Sequence, residues 1–298
     1  MSDDDQRTRS GLAVALLCYV LWGFLPLLFD LLKAVGSFTI VADRTIWSLL
    51  VVGILLVAGG RLGEVRVALA DPKTVRSMLF SSLLLAANWL IYVWAVDTGQ
   101  VLQGSLGYFI NPLINVAIGM TLLGEKQTPL QWLAIATAVA AIAMQAVGIG
   151  AIPFVALSIA VSFAFYGFFR KTAKVNSTAG LFVETLILVP VALAYLAFTF
   201  YRDGGIGYHA DPYYLSLLVL TGPATAVPLL LFAFAVQRLR LTTIGMLQYL
   251  SPTIQFLLAI FVLHEQINSI QWLSFGLIWV SLIIYSAHSM LRRRMAMG

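Results

Sequence analysis

Residues 111–133 read NPLINVAIGMTLLGEKQTPLQWL, and 140 positions later residues 251–273 read SPTIQFLLAIFVLHEQINSIQWL. Pro112 returns as Pro252, Ile114 as Ile254, Leu123 as Leu263, Glu125 as Glu265, and Gln131-Trp132-Leu133 as Gln271-Trp272-Leu273. Outside this window Ala95-Val96 returns as Ala235-Val236 at the same offset. The chain therefore carries one unit twice. Each copy contains five apolar stretches, and an odd number of membrane crossings turns the second copy upside down relative to the first. Inverted repeats of this kind recur among secondary transporters, which hold substrate between the halves near the bilayer midplane.

The stretches are 11–31, 38–59, 75–96, 101–122 and 128–147 in the first copy, and 152–169, 177–201, 213–236, 242–263 and 270–290 in the second. Each approaches the roughly 20 residues that a helix needs to cross a hydrocarbon core. None alternates strictly, so the spans are helices and not barrel strands. The expected architecture is an all-α membrane protein of ten transmembrane helices, arranged as two inverted five-helix repeats at 11–147 and 152–290. A short tail, 1–10, precedes them and a basic tail, 291–298, follows. Composition agrees: 60% of the 298 residues are hydrophobic and 10% are charged, with a mean hydropathy of +0.93. Soluble domains carry about 25% charged residues.

Orientation follows from the basic residues. With the N-terminus inside, fifteen of the eighteen Lys and Arg fall on cytoplasmic segments, and only Lys33 and Arg202 fall outside. Arg44 lies within a span. This bias places both termini in the cytoplasm, and it makes Arg292-Arg293-Arg294 a topological stop and not a nucleic-acid patch. The first apolar stretch is longer than a usual signal core and reads as a retained anchor. The single cysteine, Cys18, reads as a small hydrophobe within that anchor.

Charges inside spans cost about 2.5–3.5 kcal/mol each on insertion scales, and three stand out: Asp43, Arg44 and Glu184. Arg44-Thr45 and Glu184-Thr185 are again 140 apart. An Arg44–Glu184 ion pair is strained by depth, because each residue lies roughly 10 Å in from opposite faces. Asp43 is the nearer counter-ion for Arg44. These charges either brace helices, or Arg44 attracts an anionic group while Glu184 takes a cation or a proton.

The stronger candidate site surrounds Pro112 and Pro252. Proline removes a backbone donor and kinks a helix, and matched interruptions in two repeats point to a transporter site. Pro228 marks a further bend. Tyr108, Asn111, Gln248 and Tyr249 flank the two prolines, and Asn88, Trp94, Trp22 and Tyr166 on neighbouring spans join them as substrate-binding candidates. Amides orient polar ligands, and aromatic rings stack on rings or attract cations. The alternative is that the amides are interhelical hydrogen bonds and the rings are packing. Glu125 and Glu265 are expected to fix tight turns into the next helix. Gly23 and Gly167 are expected to allow close packing.

The repeated Pro, Gly124-Glu125 or His264-Glu265, and Gln-Trp pattern resembles the EamA-type halves of the drug/metabolite transporter superfamily. NWLIYVWAV (88–96), SLGYFINPLINVAIGM (105–120), SFAFYGFFRK (162–171), ETLILVPVA (184–192), ADRTIWS (42–48), VPLLLFAFA (227–235) and LQYLSPT (247–253) are similar to the RarD branch of that family. The resemblance covers nearly the whole chain. It implies a permease of the bacterial inner membrane, with spans one to four and six to nine around a central cavity and spans five and ten to one side. Relatives export amino acids, other metabolites or drugs. The second repeat departs from the first in having His264 where the first has Gly124.

No GxxxxGK[S/T] phosphate loop, HExxH or GxSxG motif is present. His209, His264 and His288 are scattered, and no cofactor, resident metal or nucleic-acid partner is expected. The expected function is a secondary transporter, exporting small polar metabolites or drugs by alternating access. A channel or, less favoured, a membrane-embedded enzyme is the alternative. The partners are a small-molecule substrate and the bilayer, and a homodimer is compatible with the sequence.

Overall fold

The computed structural model describes residues 3–97, 101–149, 154–203 and 207–262, together with most of 269–284. Among these residues the structure is helical, and no strand occurs. The first copy supplies α1 (Asp3–Leu31), α2 (Ser37–Ala58), α4 (Pro72–Asp97), α5 (Val101–Thr121) and α6 (Pro129–Ile149). The second supplies α7 (Phe154–Thr172), α8 (Ser177–Asp203), α9 (Pro212–Arg238), α10 (Leu241–Gln248) and α11 (Leu250–Phe261), and the described residues of 269–284 are helical too. Six of these helices are long and apolar enough to cross a membrane over described residues alone. Large apolar side chains cover the outside, such as Ile54, Val57, Val191, Phe198 and Ile283, each more than half exposed. In water this surface would aggregate; facing lipid it is the expected coat.

Two elements differ from the sequence expectation. The hydrophilic loop 60–74 contains a short helix, α3 (Leu62–Ala70), which buries Val65 and Ala68. Val65 and Ala68 are three apart, so they share a face even though the segment is too short for its periodicity to stand out. The ninth span is broken into α10 and α11 at Tyr249. Pro252 has no N–H to give to the Gln248 carbonyl, so the first segment ends there. Its counterpart Pro112 sits inside a continuous α5. The matched interruption is therefore asymmetric.

Helix ends are tied by polar groups. Asp71 precedes α4 and accepts from the Thr74 hydroxyl at 2.6 Å and from the backbone N–H groups of Lys73 and Thr74 at 3.2 Å. The Thr74 hydroxyl, followed by these backbone donors, holds the Asp71 carboxyl below its ordinary range. Glu125 reaches the other half, where Oε1 accepts from the backbone N–H of Leu241 at 2.7 Å, the first residue of α10. Glu265 lies outside the described residues. Gly23 packs as expected: a Cβ there would stand 2.7 Å from Ile254 Cβ. At Gly167 the nearest atom would be Phe232 Cζ at 3.3 Å.

The two halves interlock. Helix α1 packs on α9 and α11, α2 on α8 and α9, α4 on α7 and α8, and α5 on α7 and α10. Exchange of the halves equates α1 with α7, α2 with α8, α4 with α9, and α5 with the α10–α11 pair. Under that exchange every one of these pairings maps onto another in the set or onto itself. The inversion is visible in single bonds. Ser274 Oγ donates to the Ala141 carbonyl at 2.8 Å, and Ser281 Oγ donates to the Ala134 carbonyl at 2.6 Å. Positions 134 and 274, and 141 and 281, are repeat equivalents, so each bond is the image of the other. Rising numbers on one helix meet falling numbers on its counterpart, so the two run antiparallel.

Candidate functional site

Helices from both halves meet at the joint. Trp22 of α1 packs its ring against Tyr19, Phe163 and Phe232, with centroids 5.8, 5.7 and 5.6 Å apart. Tyr166 of α7 is fully buried and stacks on Phe232 at 5.9 Å. These rings from α1, α7 and α9 form an aromatic core at the joint, with spacings at which ring pairs add to simple burial.

Beside it the amides form a ladder. Asn111 Nδ2 donates to the Ala160 carbonyl at 2.7 Å. Asn115 Nδ2 lies 3.1 Å from Asn111 Oδ1 and 3.0 Å from Gln248 Oε1, and so links α5 to α10. Asn88 Nδ2 donates to the Ile159 carbonyl at 2.9 Å and lies 3.1 Å from Ser162 Oγ. In this conformation the amides bridge helices. Asn115 Oδ1 and the Tyr249 hydroxyl, both buried, have no hydrogen-bond partner among the described residues. Pro112 joins α5 to α10 closely: a Cβ on Gly245 would stand 2.7 Å from the Pro112 carbonyl oxygen. The Pro228 carbonyl lies 3.2 Å from Cys18 Sγ. Pro252 lies in the first turn of α11. Trp94 belongs to α4, but its side chain lies outside the described residues.

The three intramembrane charges find partners that the sequence reading did not assign. Asp43 does not compensate Arg44. Its Oδ2 lies 2.9 Å from His209 Nε2 and its Oδ1 accepts from Trp47 Nε1 at 3.2 Å. His209 sits in a one-turn 3-10 helix, Gly207–Ala210, which the connection between α8 and α9 lays over the end of α2. Arg44 Nε donates to Thr225 Oγ1 of α9 at 3.0 Å. Its guanidinium carbon lies 4.3 Å from the Trp89 ring centroid and 5.5 Å from that of Phe29. Tyr92 and Tyr108, with rings 5.5 Å apart, are its neighbours. Among the described residues no carboxylate lies within 4 Å of Arg44. A cation over aromatic faces is stabilised without a counter-ion.

Glu184 does not meet Arg44 either. Its partner is Arg170, which the charge count had placed among cytoplasmic residues and which is fully buried. Arg170 Nη1 lies 3.7 Å from Glu184 Oε1, and Nη2 donates to the Ser177 carbonyl at 3.1 Å. Ser81 Oγ of α4 hydrogen-bonds the same carboxylate oxygen, tying the pair to the other half. The Tyr166 hydroxyl neighbours the carboxylate, and among the described residues Glu184 Oε2 and Arg170 Nε have no partner of normal geometry. Gly180 makes the space: a Cβ there would stand 2.0 Å from Arg170 Nη1. Arg170 was hidden in the sequence because it ends an apolar run beside Lys171, where a basic residue normally marks the membrane surface. Gly180, three residues into the next helix, was the one available signal.

Arg44 and Glu184 thus occupy equivalent places in the two repeats, and each reaches a hydroxyl on a helix of the opposite half. Inverted halves joined in this way recur among secondary transporters. The profile of the EamA-like transporter family matches residues 9–146 and again residues 151–287. The chain belongs to that family.

Named relatives agree with this assignment. The chain is 40% identical to Protein RarD of Salmonella typhi, covering 95% of this chain and 96% of the relative. It is 38% identical to Protein RarD of Escherichia coli strain K12, covering 95% of each. It is 29% identical to a Pseudomonas aeruginosa protein named chloramphenicol-sensitive protein RarD, over 97% of this chain and 98% of that one. A solved crystal structure that is 20% identical superposes with a TM-score of 0.73 over 93% of this chain and 97% of its own, and shares the fold. The protein is a multi-pass membrane transporter.

Proposed function

We propose that the protein is a secondary transporter that exports small polar metabolites or drugs across the bacterial inner membrane, with both termini in the cytoplasm. The two five-helix repeats, 11–147 and 152–290, rock against each other and expose one site alternately to the two sides. The observation that carries this reading is the pair of equivalent charges, Arg44 and Glu184, each bonded across the joint to the opposite half. A charge held in this way gives each conformation a contact that the other lacks, which is what a two-state carrier requires.

The substrate site lies around Trp22, Tyr166 and the Asn111–Asn115–Gln248 ladder, with Asn88, Trp94, Tyr108 and Tyr249 at its margins. Ligand entry exchanges the interhelical amide bonds for bonds to the ligand. Asp43, Arg44 and Glu184 carry charge or proton coupling, and Pro112, Pro228 and Pro252 are the points about which helices bend. Glu184 is the acidic group best placed to bind a proton, since it is buried and its second oxygen has no partner of normal geometry.

The test is counter-flow in liposomes containing the purified protein, over a panel of amino acids, amines and chloramphenicol, with and without a pH gradient. Saturable counter-flow of one class establishes a carrier, and a response to the gradient puts a proton in its cycle. Flux that rises linearly with concentration and shows no counter-flow would make it a channel. A chemically altered ligand would make it an enzyme.

A further inference from the structure

The first two turns of α4 carry a stripe that transport across the joint does not use. Lys73 stands three and four residues before Arg76 and Ser77, and these stand four and three before Phe80, so the four share one face of the helix. Phe80 stacks on Phe169 of α7, with centroids 5.9 Å apart and planes inclined by 15°. These five residues line an open cavity of about 370 Å³.

The two cations are unspent. Among the described residues neither Lys73 nor Arg76 has a carboxylate within 4 Å. Asp71, two residues before Lys73, feels the Lys73 charge but spends its hydrogen bonds in capping α4. Arg61, close by in sequence, is by contrast held in a two-point pair by Glu64. The position along the helix is equally specific. Lys73 and Arg76 lie near the start of α4, where the apolar span Pro72–Tyr92 begins. Leu79, Phe80 and Leu83, the next turns outward to lipid, are 41%, 49% and 53% exposed. The cavity is therefore lined by cations near the start of α4 and by aromatic rings further along it.

We propose that this groove between α4 and α7 binds an anionic phospholipid, with the headgroup phosphate at Lys73, Arg76 and Ser77 and an acyl chain along Phe80 and Phe169. The inference rests on the membrane embedding of the chain and not on the identity of any transported substrate. A free phosphate ion shares the headgroup chemistry but would leave the aromatic wall uncovered. Basic pockets between spanning helices on the cytoplasmic side are suited to anionic headgroups. Because α4 belongs to one half and α7 to the other, a lipid seated here bridges the joint.

The test uses the purified full-length protein in dodecylmaltoside micelles, titrated with phosphatidylglycerol, with phosphatidylcholine, or with inorganic phosphate, and read by native mass spectrometry and by thermal unfolding. Phosphatidylglycerol is expected to bind saturably and raise the unfolding midpoint, while phosphatidylcholine and phosphate do neither. Lys73→Gln with Arg76→Gln is expected to weaken phosphatidylglycerol binding by roughly 30-fold, as each basic residue at an anionic surface contributes about fivefold. Both positions are solvent-facing, so an unchanged lipid-free midpoint certifies the fold of the variant. Phe80→Ala is expected to weaken lipid binding while both cations remain. Equal binding of the two lipids, or an unchanged affinity in the doubly substituted protein, overturns the proposal. Phosphate that binds at the same cations and displaces the lipid, with Phe80→Ala without effect, makes the occupant a free anion and overturns it too.

Discussion

Gly180→Ala sets two physical arguments against each other. By helix propensity alone, alanine within α8 should stabilise the protein by about 1 kcal/mol. The surroundings reverse the sign. An alanine Cβ would stand 2.0 Å from Arg170 Nη1, 2.9 Å from its Cζ and 3.1 Å from Nη2, where ordinary contact begins near 3.4 Å. The guanidinium must retreat by about 1.4 Å, the difference between 3.4 and 2.0. A surface arginine would swing aside at little cost. Arg170 is fully buried, is bonded to the Ser177 carbonyl, and already lies 3.7 Å from the carboxylate it neutralises. Its retreat leaves Glu184 as an uncompensated buried charge, and breaking a buried pair from one side costs about 3–5 kcal/mol. The net expectation is a loss of about 2–4 kcal/mol, after the propensity gain is subtracted from that penalty. Equilibrium unfolding in mixed micelles of dodecylmaltoside and dodecyl sulfate measures it. In a background carrying both Arg170→Met and Glu184→Gln the same glycine change should cost far less, because no charge is stranded. A wild-type or raised stability for Gly180→Ala alone would refute the reasoning, and so would an equal loss in both backgrounds.

Glu184→Gln strands the buried Arg170, so it should cost about 3–5 kcal/mol of stability, and in the protein that folds it should remove the response of transport to a pH gradient; unchanged gradient dependence in liposomes would take the proton away from this residue. Arg44→Lys keeps the charge but loses the flat guanidinium over Trp89, and substrate saturation should shift to higher concentration by several-fold, read from counter-flow curves. Ser274→Ala and Ser281→Ala each delete one reciprocal bond, so each should cost about 0.6 kcal/mol and the pair about twice that, since double-mutant cycles give that average inside membranes; unfolding titrations of the two single variants and the double variant check the sum. Cys18 is fully buried, so maleimide should label the native protein slowly and the detergent-unfolded protein quickly, with labelling measured by mass.

The fold was legible because two independent signals agreed. Apolar runs of spanning length placed the helices, and the 140-residue echo from Pro112 to Pro252 related them. What escaped were features set by tertiary contact. The repeat predicted equivalence of Arg44 and Glu184 but not their partners, because a side chain chooses among neighbours that only packing supplies. Arg170 is the clearest case: the rule that puts basic residues at the membrane surface is statistical, and a glycine at position 180 lets this one turn inward. The asymmetry of Pro112 and Pro252 was unreadable for a similar reason. Proline removes the same donor at both sites, yet one helix stays continuous and the other divides. The α3 helix was obscured by its length, nine residues being too few for a hydrophobic period to assert itself.

The interlocked pairing of the halves bears on how the chain is made. During synthesis the first half enters the membrane alone, at a rate that leaves it waiting several seconds for the second. Throughout that interval the amides of Asn88 and Asn111 lack the α7 carbonyls that will accept from them. Lipid offers these groups no substitute. The nascent half is thus a poor folding unit with its adhesive surfaces showing, and it depends on the insertion machinery to shield them until its inverted twin emerges. Quality control at the membrane can read that exposed polarity directly. A ribosome that stalls midway through this message should deliver its product to a membrane protease.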